Sequence, residues 1–140
     1  IIGSQANYPS YATVKPSGSN TYVWNASTTD SRGLQIPQSG STNRTAACWY
    51  SSSGQFTVDI NLTDGQAHRV TIYACDWDST SRSERIDVVD PTTHAVLDSR
   101  TISSFYGGVY LSWQLKGHVQ LVFTRLSGAN PVVSGLFFGG

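Results

Sequence analysis

Short runs in which apolar and polar residues alternate recur along the chain, and no long stretch keeps a helical period. The clearest run is 56–62, where Phe56, Val58, Ile60 and Leu62 alternate with polar neighbours. A period of two places every second side chain on one face of a β-strand. Further strand-like runs, separated by Gly, Pro, Asn and Ser, lie at 12–15, 21–25, 44–50, 70–75, 86–89, 95–97, 100–102, 109–115, 119–124 and 132–138. The pattern predicts an all-β fold.

The shortness and spacing of these runs indicate how the strands are arranged. About nine short antiparallel strands without a substantial helix are typical of a β-sandwich, here most of all a jelly roll. Residues 1–140 suit a single domain, because a chain of 140 residues is long enough to bury one core. Residues 27–42 form the longest irregular stretch, and we expect a binding loop there.

The segment 70–90 carries the densest chemistry of the chain. Two apolar runs enclose a polar loop that contains Asp76, Trp77, Asp78 and Arg82. We interpret the segment as a central hairpin whose tip displays the indole. Because both registers of its first run are largely apolar, we expect that strand to be covered on both faces.

Charge is scarce outside that segment. Charged residues make up 13% of the chain, about half the usual share, and nine basic residues balance nine acidic ones. Such a chain lacks the basic surface that nucleic acid or an anionic membrane requires, and no apolar span is long enough to enter a bilayer. A surface of hydroxyls and amides suits a secreted, extracellular protein. Because the chain starts at Ile1 and has no Met, we expect a module of a longer protein.

The sequence contains no recognisable catalytic arrangement, and we predict that the protein is not an enzyme. A glycosidase needs two carboxylates that face each other across a cleft. Asp76 and Asp78 are only two positions apart, which is too close for an inverting pair. Nucleophile elbows, phosphate-binding loops and metal-spaced histidines are absent from the sequence.

Two pairs of residues leave alternatives open. Asp76 and Asp78 either supply oxygen ligands to a structural calcium ion or pair with Arg82 and brace their loop. Calcium is the one cofactor that the sequence suggests. Cys48 and Cys75 either form a disulfide in an oxidising compartment or remain two buried free thiols.

Aromatic residues are the best candidates for a binding function. A flat indole stacks on the C–H face of a sugar ring, while amide, carboxylate and guanidinium groups bind its hydroxyls. The residues that we expect to stack on sugars are Trp24, Trp49, Trp77 and Tyr106. Those that we expect to hydrogen-bond the ligand are Asp76, Asp78, Arg82 and Gln114.

Large aromatics also fill ordinary protein cores, so each ring has a second interpretation. Trp113 shares the alternation of its apolar neighbours, and we place it in the core. Trp24 and Trp49 suit the core and the surface equally well. Tyr50 and Tyr110 either extend a binding platform or fill the sandwich.

A set of motifs runs through residues 66–138. It comprises Y-x-x-D-W-D at 73–78, Arg82, V-V-D at 88–90, V-L-D at 96–98 and S-G-L-F-F at 134–138. This set resembles the galactose-binding-type β-sandwich modules that are appended to bacterial extracellular glycoside hydrolases. The resemblance implies a non-catalytic carbohydrate-binding module, often with a structural calcium, for which plant cell-wall β-glucans are a common target. The aromatic positions of such modules vary, so no ligand residue is assigned by the resemblance.

These observations lead to a ranked set of hypotheses. The first is non-catalytic binding of a neutral β-glucan (cellulose chains, mixed-linkage glucan or xyloglucan), with a tethered catalytic domain brought to its substrate. The second is a structural or adhesive β-sandwich domain of a larger extracellular protein that binds no sugar. The third is an unrecognised hydrolase.

Overall fold

The computed structural model describes residues 1–37 and 42–139, and these residues form β-strands without any helix. The strands are β1 (Ala12–Ser17), β2 (Asn20–Thr28), β3 (Leu34–Gln35), β4 (Arg44–Tyr50), β5 (Gln55–Leu62), β6 (His68–Ala74), β7 (Ser83–Val89), β8 (Val96–Ser103), β9 (Val109–Leu115), β10 (His118–Ser127), β11 (Val132–Val133) and β12 (Gly135–Gly139). The all-β prediction is confirmed. The described part of the chain holds no helix that is long and apolar enough to cross a membrane.

The strands form two layers. One layer is a five-stranded antiparallel sheet in the order β1-β5-β10-β7-β8. The other contains the sheet β11-β4-β2, with β3 beside β4, and the sheet β12-β6-β9. Only Ser134 separates β11 from β12, and its N–H donates to the carbonyl of Tyr73 in β6 at 2.8 Å. The two smaller sheets are therefore continuous through this residue, and the antiparallel β-sandwich is confirmed.

One apolar cluster fills the space between the layers. Phe56 and Phe123 stack at a centroid distance of 4.7 Å, and Ile60 and Ile72 are completely buried. Trp113 is 6% exposed and belongs to this cluster, as its alternation predicts. Both layers contribute inward-facing side chains to this core, so the core forms only when the two layers pack against each other.

The predicted hairpin of residues 70–90 is wrong. Strand β6 pairs with β12 and β9, whereas β7 pairs with β10 and β8 in the opposite layer. The connection 75–82 crosses between the layers and is anchored at Asp76, whose N–H donates to the Phe105 carbonyl at 3.0 Å. Alternation of apolar residues identifies strands but not the strands they pair with. The connection 75–82 is held by buried polar contacts and not by the tight turn of a hairpin.

Strand β6 is nevertheless covered on both faces, as its sequence predicts. Val70 and Ile72 lie in the main core, while Tyr73 belongs to a second, smaller cluster on the other face. The irregular stretch 27–42 contains the two-residue strand β3, which pairs with β4. Residues 38–41 of the predicted binding loop lie outside the described residues.

Candidate functional site

A groove of about 310 Å³ opens where the β2–β4 pair meets two loops, and we call it the β2–β4 groove. Its volume lies at the small end of the range for ligand pockets. The strands supply Tyr22, Trp24, Cys48 and Tyr50, and the loops supply Asp78, Arg82, Ala129 and Asn130. One wall is therefore mainly aromatic and the other mainly polar.

The aromatic wall follows from the alternation of two paired strands. Tyr22 lies opposite Cys48 in the β2–β4 register, and Tyr50 is two positions further along β4, on the same face. Tyr22 is 52% exposed and meets the rings of Trp24 and Tyr50 edge-on, at centroid distances of 6.3 Å and 6.4 Å. Three rings thus line one groove, and together they offer apolar surfaces in more than one orientation.

The polar wall is built around Arg82, which is only 5% exposed. Its Nη1 donates to Asp76 Oδ1 at 2.7 Å and to Asp78 Oδ1 at 2.5 Å, and its Nε donates to Asn130 Oδ1 at 3.0 Å. Asp76 also accepts the Arg82 backbone N–H at 3.0 Å and the Ser79 hydroxyl at 2.6 Å. These bonds hold the guanidinium in place while Nη2 takes part in none of them, so Nη2 is left as a donor for a ligand in the groove.

The charges of the polar wall disfavour an anionic ligand. Partial burial raises the pKa of Asp78, but the hydrogen bond and charge of Arg82 outweigh it and keep that pKa below its ordinary value. The side chain of Asp78 is 53% exposed, so an ionised, accessible acceptor lies at the rim. Asp76 and Asp78 both lie against Arg82, so two carboxylates more than balance the charge of one guanidinium. An anionic ligand would meet no unpaired positive charge among these groups.

Behind the groove lies a buried carboxyl that the sequence interpretation did not assign to a site. Glu84 is completely buried, Oε1 accepts the N–H of Val132 at 2.8 Å, and Oε2 has no partner among the described residues. Burial raises the pKa of Glu84 to about 8, although the Val132 N–H and the Arg82 charge act against it. A signal existed in the sequence, because Glu84 occupies the same register of β7 as Ile86 and Val88, which face the core.

Trp77 and Tyr106 lie beside the groove, joined by an arginine that sequence patterns did not single out. The Arg32 guanidinium carbon lies 4.3 Å from the Trp77 ring centroid and 4.1 Å from that of Tyr106. Nη1 of Arg32 also donates to the carbonyls of both residues, at 3.2 Å and 3.1 Å. The Trp77 ring is in turn nearly parallel to Trp24, at 6.3 Å and 17°. Trp77 is half-buried and stacks against Trp24.

The structure brings some predicted ligand residues together and leaves others apart. Trp24, Asp78 and Arg82 line the β2–β4 groove, while Asp76, Trp77 and Tyr106 support it from behind or beside. Trp49 packs against the core, and Gln114 is exposed on β9 in a different groove. Tyr22 and Asn130 are groove residues that the sequence interpretation did not select. Tyr22 could have been found from its shared face with Trp24, whereas no pattern marks Asn130.

The donor set around Asp76 and Asp78 fits the internal network better than a calcium ion. Arg82 Nη1 binds both carboxylates, and the two oxygens of Asp76 already accept bonds from Arg82 and Ser79. Over the described residues, no group of three or more His, Cys, Asp or Glu side chains is placed to hold a metal. A calcium ion here would have to displace the guanidinium.

Both cysteines are buried free thiols, so of the two alternatives the structure has the second. Burial raises the pKa of Cys48 to about 12, and Cys48 contributes a small apolar side chain to the groove. Cys75 donates through Sγ to the Tyr106 carbonyl at 3.4 Å, and burial raises its pKa as well. Neither thiol has the depressed pKa of a reactive cysteine.

Comparison with known proteins yields structural neighbours only, because no protein-family model matches the sequence and no curated protein matches it significantly. One neighbour is an exo-beta-1,3-galactanase from Phanerochaete chrysosporium, solved with beta-1,3-galactotriose (16% identity, TM-score 0.45, 89% of this chain and 27% of that chain). A second is a family 35 carbohydrate-binding module from Clostridium thermocellum (12% identity, TM-score 0.44, 89% of this chain and 88% of that chain). A third is TmCBM61 in complex with beta-1,4-galactotriose (10% identity, TM-score 0.42, 92% of this chain and 88% of that chain).

The share of each neighbour that is covered differs widely. This chain spans 27% of the galactanase chain but 88% of each of the two carbohydrate-binding modules. The neighbours thus include the class of β-sandwich module that the sequence resembles. Because every one of these TM-scores is below 0.5, their ligands and activities do not carry over to this chain, whose function has to be inferred from its own groove.

Proposed function

We propose that this protein is a non-catalytic carbohydrate-binding module that holds a neutral polysaccharide chain in the β2–β4 groove. The observation that carries the proposal is the pairing of two walls across one groove. Tyr22, Trp24 and Tyr50 offer apolar rings, and an ordered array of Asp78 and Arg82 faces them.

The chemistry of a sugar ring matches both walls. Its C–H groups stack on aromatic rings, and its hydroxyls donate and accept hydrogen bonds. In the groove, Arg82 Nη2 and the Asn130 amide nitrogen are donors, and the exposed carboxylate of Asp78 is an acceptor. Because these groups are already fixed by bonds among themselves, a ligand has little ordering entropy to overcome.

Among neutral polysaccharides we propose a β-linked glucan as the ligand: cellulose chains, mixed-linkage glucan or xyloglucan. A β-linked glucan presents flat rings with hydroxyls at their rims, which suits a groove that has rings on one wall and polar groups on the other. We further propose that the protein acts outside the cell, next to a tethered catalytic domain. Binding would then raise the effective concentration of that domain at its substrate.

Affinity electrophoresis and calorimetry with soluble polysaccharides test the proposal. The panel contains mixed-linkage β-glucan, xyloglucan, β-1,4-galactan and the anionic polygalacturonate. We expect binding to a neutral polymer, weakened roughly tenfold by Trp24→Ala through loss of one stacking contact. Tyr110→Ala is the matched control, because Tyr110 is 59% exposed on β9, outside the groove.

Three outcomes would contradict the proposal in different ways. Equal binding by Trp24→Ala and Tyr110→Ala would move the ligand away from the β2–β4 groove. Binding to β-1,4-galactan alone would keep the groove but overturn the glucan assignment. Retention by no polymer would instead favour a structural or adhesive domain.

A further inference from the structure

A second groove, of about 530 Å³, lies between β12 and the segment that precedes β1, and we call it the N-terminal groove. It shares no lining residue with the β2–β4 groove. Four aromatic side chains line it, namely Tyr8, Tyr11, Phe137 and Phe138. Tyr8, Tyr11 and Phe138 pack against the main core and Phe137 against the smaller cluster, and all four are only partly buried.

Three of these rings form a corner. Tyr8 meets Phe138 at 5.9 Å with an angle of 83° between the ring planes, and Tyr11 meets Phe138 at 6.3 Å with an angle of 82°. Both tyrosine rings therefore stand at nearly right angles to the phenylalanine ring. A ligand ring that enters the corner contacts flat apolar surfaces in two orientations, which is the shape that the C–H face and edge of a sugar require.

The corner is held in place before any ligand arrives. The imidazole of His68 stacks on Tyr11 at 3.7 Å with an angle of 7°, and His68 Nε2 donates to Asp64 Oδ2 at 2.8 Å. The backbone N–H and the hydroxyl of Thr63 donate to the Tyr11 carbonyl, at 2.8 Å and 3.1 Å. Both the ring and the backbone of Tyr11 are therefore held in position before a ligand binds. This lowers the entropic cost of binding.

Uncharged polar side chains complete the lining, together with Ile1, whose ammonium group donates to the Gln5 carbonyl at 2.9 Å. The side chains of Gln5 and Asn7 and the hydroxyl of Tyr8 lie at the groove and take part in none of the hydrogen bonds found among residues 1–37 and 42–139. Over the same residues, no acidic, lysine or arginine side chain lines the groove. An aromatic corner can also hold an organic cation, but the absence of a carboxylate from this lining disfavours one.

We propose that the N-terminal groove is a second carbohydrate-binding site, which takes a neutral sugar ring against Phe138 with the Gln5 and Asn7 amides on its hydroxyls. This site extends the proposed function, since it uses the same sugar chemistry on different residues. With two separate grooves, one molecule contacts a polysaccharide twice or joins two neighbouring chains.

An amide ¹H–¹⁵N NMR titration with cellotetraose tests the proposal, because it locates each site separately. In the unmodified protein we expect shifts in two groups of amides, one at 22–24 and 48–50 and the other at 7–11 and 136–138. Trp24→Ala should move the titration of the first group alone to roughly tenfold higher cellotetraose concentration. Tyr8→Ala should do the same to the second group alone, as expected for one lost stacking contact.

Asn7→Ala provides a second variant that does not depend on an aromatic packing residue, because Asn7 is exposed. We expect it to weaken the second site alone, by a factor of roughly five for one hydrogen bond. Val96→Ala serves as the control here and should change neither group, because Val96 is 59% exposed on β8 and lines neither groove. The use of two different variants separates loss of a contact from a change in the fold.

The possible results distinguish this proposal from the proposed function. Shifts at 7–11 and 136–138 that require roughly tenfold more cellotetraose in Tyr8→Ala support the second site, even if the β2–β4 groove gives none. Shifts confined to the β2–β4 groove overturn the second site and leave the proposed function standing. A response at 7–11 to choline chloride but not to cellotetraose overturns it as well. No response to cellotetraose anywhere contradicts the second site and the glucan assignment of the proposed function.

Discussion

Glu84 makes the stability of this protein depend on pH in an unusual direction. Its carboxyl is completely buried, with Oε1 bound to the Val132 N–H at 2.8 Å and Oε2 unpartnered among the described residues. Burial raises the pKa of Glu84 from 4.5 to about 8. Most carboxylates in folded proteins are stabilised in their charged form, whereas this one is held as the neutral acid.

The sign and the size of the effect follow from linkage. Because the pKa of Glu84 is higher in the folded protein than in the unfolded chain, the folded state binds the proton more tightly. The stabilisation is therefore fully present below pH 4.5, decreases as the pH rises and is lost above about pH 8. At 1.36 kcal/mol for each unit of pKa, the shift corresponds to at most about 5 kcal/mol.

Glu84→Gln isolates this contribution. Glutamine keeps an oxygen for the Val132 N–H and has nearly the same shape, but it does not titrate. We expect urea unfolding of the original protein to lose several kcal/mol between pH 5 and pH 9, beyond the loss shown by Glu84→Gln, up to the ceiling of about 5 kcal/mol. Other titrating groups are common to both proteins and cancel in the difference. Parallel stability curves for the two proteins would refute the buried neutral carboxyl.

Two further predictions concern the residues that support the β2–β4 groove. Asp76→Asn should cost about 3–5 kcal/mol in urea unfolding, because it weakens a buried pair with Arg82. Asp78→Asn should lower the free energy of unfolding by at most about 1 kcal/mol, since the Asp78 side chain is 53% exposed. It should nevertheless weaken polysaccharide binding. Equal losses of stability in Asp76→Asn and Asp78→Asn would contradict this division of roles. Trp77→Ala should lower stability by roughly 2 kcal/mol and weaken binding indirectly, because Trp77 packs against Arg32 and Trp24. Unchanged stability with abolished binding would make Trp77 the ligand platform.

Strand positions could be predicted from the sequence because burial on one face leaves a period of two. The predicted runs 44–50 and 109–115 coincide with β4 (Arg44–Tyr50) and β9 (Val109–Leu115). The runs 95–97 and 100–102, by contrast, belong to the single strand β8 (Val96–Ser103). The pattern breaks there because β8 is an edge strand with mostly exposed residues, so few positions had to be apolar.

The residues of the β2–β4 groove were predicted less completely, for reasons visible at β4. Its residues Thr45, Ala46, Ala47 and Cys48 are all buried, so both faces of the strand are covered. The segment that precedes β1 covers one of these faces, since a Cβ on Gly3 would lie only 2.5 Å from that of Ala47. No alternation remains from which to decide where Trp49 points. The sequence left the same two alternatives open for Trp24, which the structure places at the β2–β4 groove.

The crossing of residues 75–82 between the layers explains why the groove and the fold depend on each other. In a hairpin, Asp76 and Arg82 would belong to two neighbouring strands of the same sheet, and their contact would not connect the two layers. In the sandwich, Arg82 directly precedes β7 of the five-stranded sheet, while Asp76 follows β6 of the other layer by two residues. Their buried ion pair therefore ties the two layers together and fixes the polar wall at the same time. A substitution that loosens the layers near Arg82 should consequently weaken ligand binding before it unfolds the protein.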